Sequence, residues 1–130
     1  MDRTTARAAA MKLVYEWEMG GDGGDDTRLG LLDIKPAEKE IDYMETIVAG
    51  VRDTCAELDA LIGKNARGWA VERISRVDLS IMRVAVWEMR FGGIPSGVAI
   101  SEALELARAY STPESVSFIN GVLGGIGRSL

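Results

Sequence analysis

Apolar residues recur along this chain at intervals of three and four, the spacing that gathers them on one face of an α-helix. From about Thr5 to Met19, the residues Ala6, Ala9, Ala10, Leu13, Val14 and Trp17 share such a face, and Gly20 stops the run. Pro36 suits the first turn of a second helix, with Glu38 and Glu40 at the positive end of its dipole and Ile41, Met44, Ile47, Val48 and Val51 as its stripe. A third helix is predicted over about Asp53 to Lys64, with Asp53 as its cap, Cys55, Leu58, Leu61 and Ile62 inward, and Gly63 and Asn65 as stop signals. Between Ser75 and Phe91 apolar residues lie nearly all round, Val77, Ile81, Val84 and Trp87 on one side and Met82, Val86 and Met89 on another, which marks a central helix. Pro95-Ser96-Gly97 opens a fifth, with Ala99, Ile100, Ala103, Leu106, Ala107 and Tyr110 inward. Thr112-Pro113-Glu114-Ser115 reads as the cap, first-turn proline and early acid of a sixth. Alternation is brief everywhere and two-residue hairpin turns are absent. The expectation is an all-α fold, a single-domain bundle of about six or seven helices over residues 1–130.

The sustained break in this pattern is Gly20-Gly21-Asp22-Gly23-Gly24-Asp25-Asp26-Thr27, which reads as a surface loop. It lacks the alternating acidic ligands and closing glutamate of a calcium loop. No histidine is present among the 130 residues, so imidazole bases, catalytic triads and histidine-ligated metals are excluded. Cys55 is the single cysteine, which excludes an intrachain disulfide and a thiolate zinc cage and fits a reducing cytoplasm. No apolar run approaches a membrane span. No catalytic residue, metal site or cofactor is expected. The net charge is −5 but unevenly spread: residues 19–60 carry four basic and eleven acidic side chains, whereas residues 61–92 carry six basic and three acidic. An acidic total argues against indiscriminate nucleic-acid binding, while a local basic surface still suffices where phosphates approach.

Polar residues set into apolar helices carry the remaining information. Asp78, Arg83 and Glu88 interrupt the central helix, and a charge beside a core must be paired or lie where the surface opens to a partner. Arg83 therefore either forks to carboxylates of neighbouring helices or belongs to a docking surface. Asp78 and Glu88 stand about 15 Å apart along the helix, too far for a paired-carboxylate active site. Gly121, Gly124, Gly125 and Gly127 follow no strand and read as small residues permitting close helix contact rather than a phosphate loop. Phe118 falls at the rim of the arc formed by Val116, Ile119, Val122, Leu123 and Ile126, so it is either peripheral core or a platform for an unpaired base. Arg3 and Arg7 lie four residues apart and share one side of the first helix, either as an ordinary solvated helix end or as joint phosphate contacts.

These pieces in this order resemble the NusB family, bacterial transcription antitermination factors of all-helical fold. The matching stretches are Ala6-Arg7 with Leu13 to Glu18, Arg73 to Asp78 leading into Ile81 to Glu88, Ile94-Pro95 with Val98 to Ala107, and Phe118-Ile119-Asn120-Gly121-Val122-Leu123. The resemblance covers nearly the whole chain. It implies a protein that acts with the transcription elongation complex, pairs with NusE, a small-subunit ribosomal protein, and with it binds single-stranded boxA-type leader RNA of ribosomal RNA operons. It carries an RNA-side role to Arg3, Arg7 and Phe118 and a partner-side role to Tyr15, Asp78 and Arg83. Such domains also precede some RNA cytosine methyltransferases, but the chain stops at Leu130, so a free-standing factor is expected, as monomer or homodimer. Where relatives often carry an arginine run, Thr4 and Thr5 stand between Arg3 and Arg7. The alternative is a protein-interaction module of the same fold with weak or lost RNA binding.

Overall fold

The computed structural model describes residues 3–20 and 38–130, and within them five α-helices and one 3-10 turn. These are α1 (Arg3–Glu18), α2 (Glu38–Asn65), the turn Val71–Arg73, α3 (Arg76–Arg90), α4 (Ser96–Tyr110) and α5 (Pro113–Ser129). No strand occurs among the described residues. The glycine-rich loop expected from residue 21 onward and the helix start expected at Pro36 lie outside them.

Among the described residues five helices stand where six or seven were expected, because the second and third predicted segments run together as the kinked α2. The break falls at Thr54 (φ −119°, ψ 17°), one residue past Asp53, where a new helix was expected to start. The Thr54 hydroxyl donates to the Gly50 carbonyl at 2.7 Å. A side chain that bonds back to the residue four earlier bends a helix without ending it.

Around α3 the other helices form a jacket. Every residue from Asp78 to Glu88 is buried, as expected of a helix apolar nearly all round. Its partners in the core include Leu13 and Val14 of α1, Ile47 and Leu58 of α2, Ala103 of α4, and Ile119 and Leu123 of α5. Tyr110 departs from the expected core face of α4: it is exposed, with the Lys12 ammonium 5.0 Å from its ring centroid. The caps are sequence-encoded. Ser75 accepts the Asp78 amide at 3.1 Å at the start of α3, and Thr112 accepts the Ser115 amide at 3.1 Å ahead of Pro113 in α5. Gly125 lies against the Asn65 side chain and Gly127 against Ser96, so these two glycines admit close helix contact; Gly121 meets nothing and opens onto a cleft.

Candidate nucleic-acid interface

The residues linking α2 to α3 are not periodic. Gly68, at φ +79°, turns the chain where a side chain would be strained, and presents Trp69, which is 52% exposed. Arg76 holds this turn from behind: its guanidinium donates to the carbonyls of Val71 at 2.8 Å and Ile74 at 2.5 Å. From the facing helix α5, half-buried Phe118 meets Trp69 edge to face, with ring centroids 6.2 Å apart and planes at 66°. Packing on the core holds Phe118 at the rim of its apolar arc. A cleft of about 440 Å³ opens on each side of the pair.

The described arginines divide by what they touch. Arg7, Arg76, Arg83, Arg90 and Arg108 are ion-paired, and Arg3 and Arg52 lie over the rings of Tyr43 and Trp17. Arg67, Arg73 and Arg128 have neither kind of contact among the described residues, and all three line the clefts beside Trp69 and Phe118. Free guanidiniums flanking exposed rings can hold phosphates while the rings receive bases.

Two ionic clusters occupy the interior. At the C-terminal end of α3, Glu88 is 1% exposed and accepts from Arg7 Nε (2.8 and 3.0 Å) and from the Tyr43 hydroxyl (2.5 Å), while Arg7 Nη1 reaches Glu102 at 3.2 Å. Burial acts against the Arg7 charge, but the bond and field of Glu88 outweigh it and the pKa is raised. Burial and the Glu88 hydrogen bond push Tyr43 up to about 12. Midway along α3, Arg83 forks onto Asp59 (2.8 and 2.7 Å) and reaches Glu18 at 2.6 Å, and Glu18 also pairs with Arg76 at 3.1 Å. Burial opposes the Arg83 charge; the two carboxylates prevail and raise its pKa. Burial would raise Glu18, but the hydrogen bonds from Arg83 and Arg76 hold it below the ordinary 4.5.

The family model described as the NusB family matches residues 4–128 of the chain. The chain belongs to the NusB family. Among curated relatives, a transcription antitermination protein NusB of Acetivibrio thermocellus is 42% identical over 130 residues, covering 97% of this chain and 88% of the relative. One from Clostridium botulinum is 36% identical over 140 residues, covering 95% and 98%. Among solved structures, T. maritima NusB superposes with a TM-score of 0.86 at 29% identity, covering 98% of this chain and 92% of the other. A complex of antitermination factors NusB and NusE with double-stranded RNA has the same TM-score at 23% identity, covering 98% and 97%, a likeness of fold.

Within this NusB-family chain, the predicted site residues separate. Arg3 is exposed, 4.3 Å over the Tyr43 ring, but Arg7 is only 5% exposed and committed to Glu88 and Glu102. The two arginines do not form a joint open face, because the Arg7 guanidinium turns inward onto the buried Glu88 and the half-buried Glu102. Arg83, 4% exposed, takes the forked arrangement that pairing requires. Asp78, 5% exposed, accepts the hydroxyls of Ser111 and Ser115 at 2.6 Å each and so ties the α4–α5 corner to α3. Tyr15 is half-buried on α1. Arg3 and Arg7 lie toward the Glu88 end of α3, whereas Phe118 shares a cleft with Asp78 at the other end. Absent from the sequence-based candidates are Trp69, Arg67, Arg73 and Arg128; the excess of basic residues over positions 61–92 is the one signal that pointed toward Arg67 and Arg73. No metal-binding cluster and no helix long and apolar enough to cross a membrane occur among the described residues.

Proposed function

We propose that this protein is a non-enzymatic transcription antitermination factor that binds single-stranded boxA-type leader RNA together with NusE, within the elongation complex. The observation that carries this reading is the gathering of Arg67, Arg73 and Arg128, unpaired among the described residues, around the exposed Trp69 and half-buried Phe118. Rings offered edge to face at a surface suit unstacked bases better than a duplex, whose bases are already stacked. Relatives named transcription antitermination protein NusB support the antitermination role, and a solved complex of NusB and NusE with double-stranded RNA supports NusE and RNA as partners. Arg3 is assigned to an outlying phosphate, and Arg7 acts from beneath by holding Glu88 and through it Tyr43, on which Arg3 lies. NusE is assigned to the surface around Tyr15, with Arg83 fixing α1 through Glu18 and Asp78 fixing the α4–α5 corner.

The test is Trp69→Ala. With half its surface already in solvent, Trp69 contributes little to the core, so the thermal midpoint should hold while affinity for boxA-like RNA, measured with NusE, falls roughly 5- to 100-fold through lost stacking. An unchanged affinity would favour the protein-interaction module, the reading to which the burial of Arg7 and the acidic total lend weight.

A further inference from the structure

The two clefts beside the aromatic pair differ in charge. The cleft between the end of α2 and the later turns of α5 is lined by Arg67 and Arg128, with Asn65 and Ser117, and by no carboxylate. The cleft toward the start of α5 sets Arg73 against Asp78 and Glu114. Asp78 is spent on its two serines, but the Glu114 carboxylate is exposed and bonds to no described residue. A phosphodiester brought into the second cleft would face that carboxylate, whereas in the first it meets two guanidiniums that no described residue pairs.

Resting on the RNA-binding reading above, we propose that a strand crosses the Trp69–Phe118 pair with its phosphates in the arginine cleft and one base in the Glu114 cleft, where Glu114 selects cytosine over uracil. An ionised carboxylate only accepts hydrogen bonds. Cytosine presents an N4 amino donor where uracil presents the O4 carbonyl, so the same stacked position is attractive for one and repulsive for the other. The volume of about 440 Å³ leaves ample room for a pyrimidine against the ring faces. Glu114 also lies in the first turn of α5, where any acid offsets the helix dipole, and the test separates that role from base selection.

Binding of oligocytidylate and oligouridylate of equal length is measured for the full chain with NusE, over a salt series, for the unaltered protein, Glu114→Gln and Arg128→Gln. The unaltered protein should prefer oligocytidylate about tenfold. Glu114→Gln, whose amide both donates and accepts, should bring the two within about twofold and leave the salt slope unchanged. Arg128→Gln should make the slope shallower by about 0.7 and keep the preference for cytosine. A lost helix-dipole contribution would weaken both oligomers alike and leave their ratio untouched. Equal binding of both oligomers by the unaltered protein, or a preference that survives Glu114→Gln, overturns the proposal while leaving RNA binding intact. Binding of neither oligomer overturns the RNA-binding reading and this proposal together.

Discussion

The indole of Trp87 lies directly against Gly50, so closely that a β-carbon at position 50 would stand 2.1 Å from Trp87 Nε1. Two effects of opposite sign meet there. Alanine in a helix is favoured over glycine by roughly 1 kcal/mol, whereas forcing atoms into a filled contact costs about 1–3 kcal/mol. Trp87 is buried and pinned among other core residues, so the steric effect wins. Gly50→Ala should lower the thermal midpoint, and Gly121→Ala, at a helical glycine that meets nothing, should raise it. Calorimetric melts of the two variants check both signs.

Arg83 gives a second test. Arg83→Glu would place a third carboxylate beside Asp59 and Glu18 in a buried setting, and a loss of about 3–5 kcal/mol is expected. Loss of helicity should therefore accompany any loss of partner binding in this variant. Circular dichroism melts read it directly, and a folded variant with an unchanged midpoint would contradict the pairing.

The same cluster predicts a response to acid. Because Glu18 titrates below 4.5 when folded, the unfolded chain binds more protons in that interval. Its stabilisation is therefore present above pH 4.5 and lost as the pH falls through the lower, folded value. Glu18→Gln should flatten the dependence of the midpoint on pH across that window.

At the alkaline end the sign reverses. Tyr43 ionises near 12 when folded against an ordinary 10, so the folded state keeps a proton that the unfolded chain releases. The contribution is complete below pH 10 and disappears as the pH rises toward 12. Ultraviolet titration should show a late phenolate step that Tyr43→Phe removes.

Asp78→Ala would leave the Ser111 and Ser115 hydroxyls without their acceptor and free the start of α5 from α3. Each hydrogen bond to a charged group contributes about 1.5–3 kcal/mol. The variant should melt earlier, and amide exchange should accelerate first in the opening turns of α5.

Periodicity made α1 legible because its burial follows one face: Ala6, Ala10, Leu13 and Val14 lie where three-and-four spacing puts them, and α3 was legible because its apolar residues lie nearly all round. The break in α2 was legible to within a residue, at Asp53 and Thr54, but that its two halves stay joined across a kink was not, since Thr54 carries no mark of whether its hydroxyl turns outward or back to Gly50. The aromatic half of the site was partly legible. Phe118 falls at the edge of a periodic arc, but Trp69 stands in an irregular turn where no period applies. The cations were least so: Arg7 and Arg67 are the same residue type, and only the folded chain brings Glu88 to one and leaves the other free.

Asp78, Arg83 and Glu88 follow one another at intervals of five along α3 and reach different neighbours: the α4–α5 corner, α1 with α2, and α1 with α2 again one cluster further on. A helix greasy on every side could rotate by one residue and still bury as much surface, leaving several seats of nearly equal energy. A turn of about 100° would strand all three charges at once. Their consequence is rotational register. Apolar residues of matching volume at these positions and their partners should give a protein that keeps its helicity, melts no earlier, and loses the sharp, single set of side-chain resonances that one fixed seating of α3 produces.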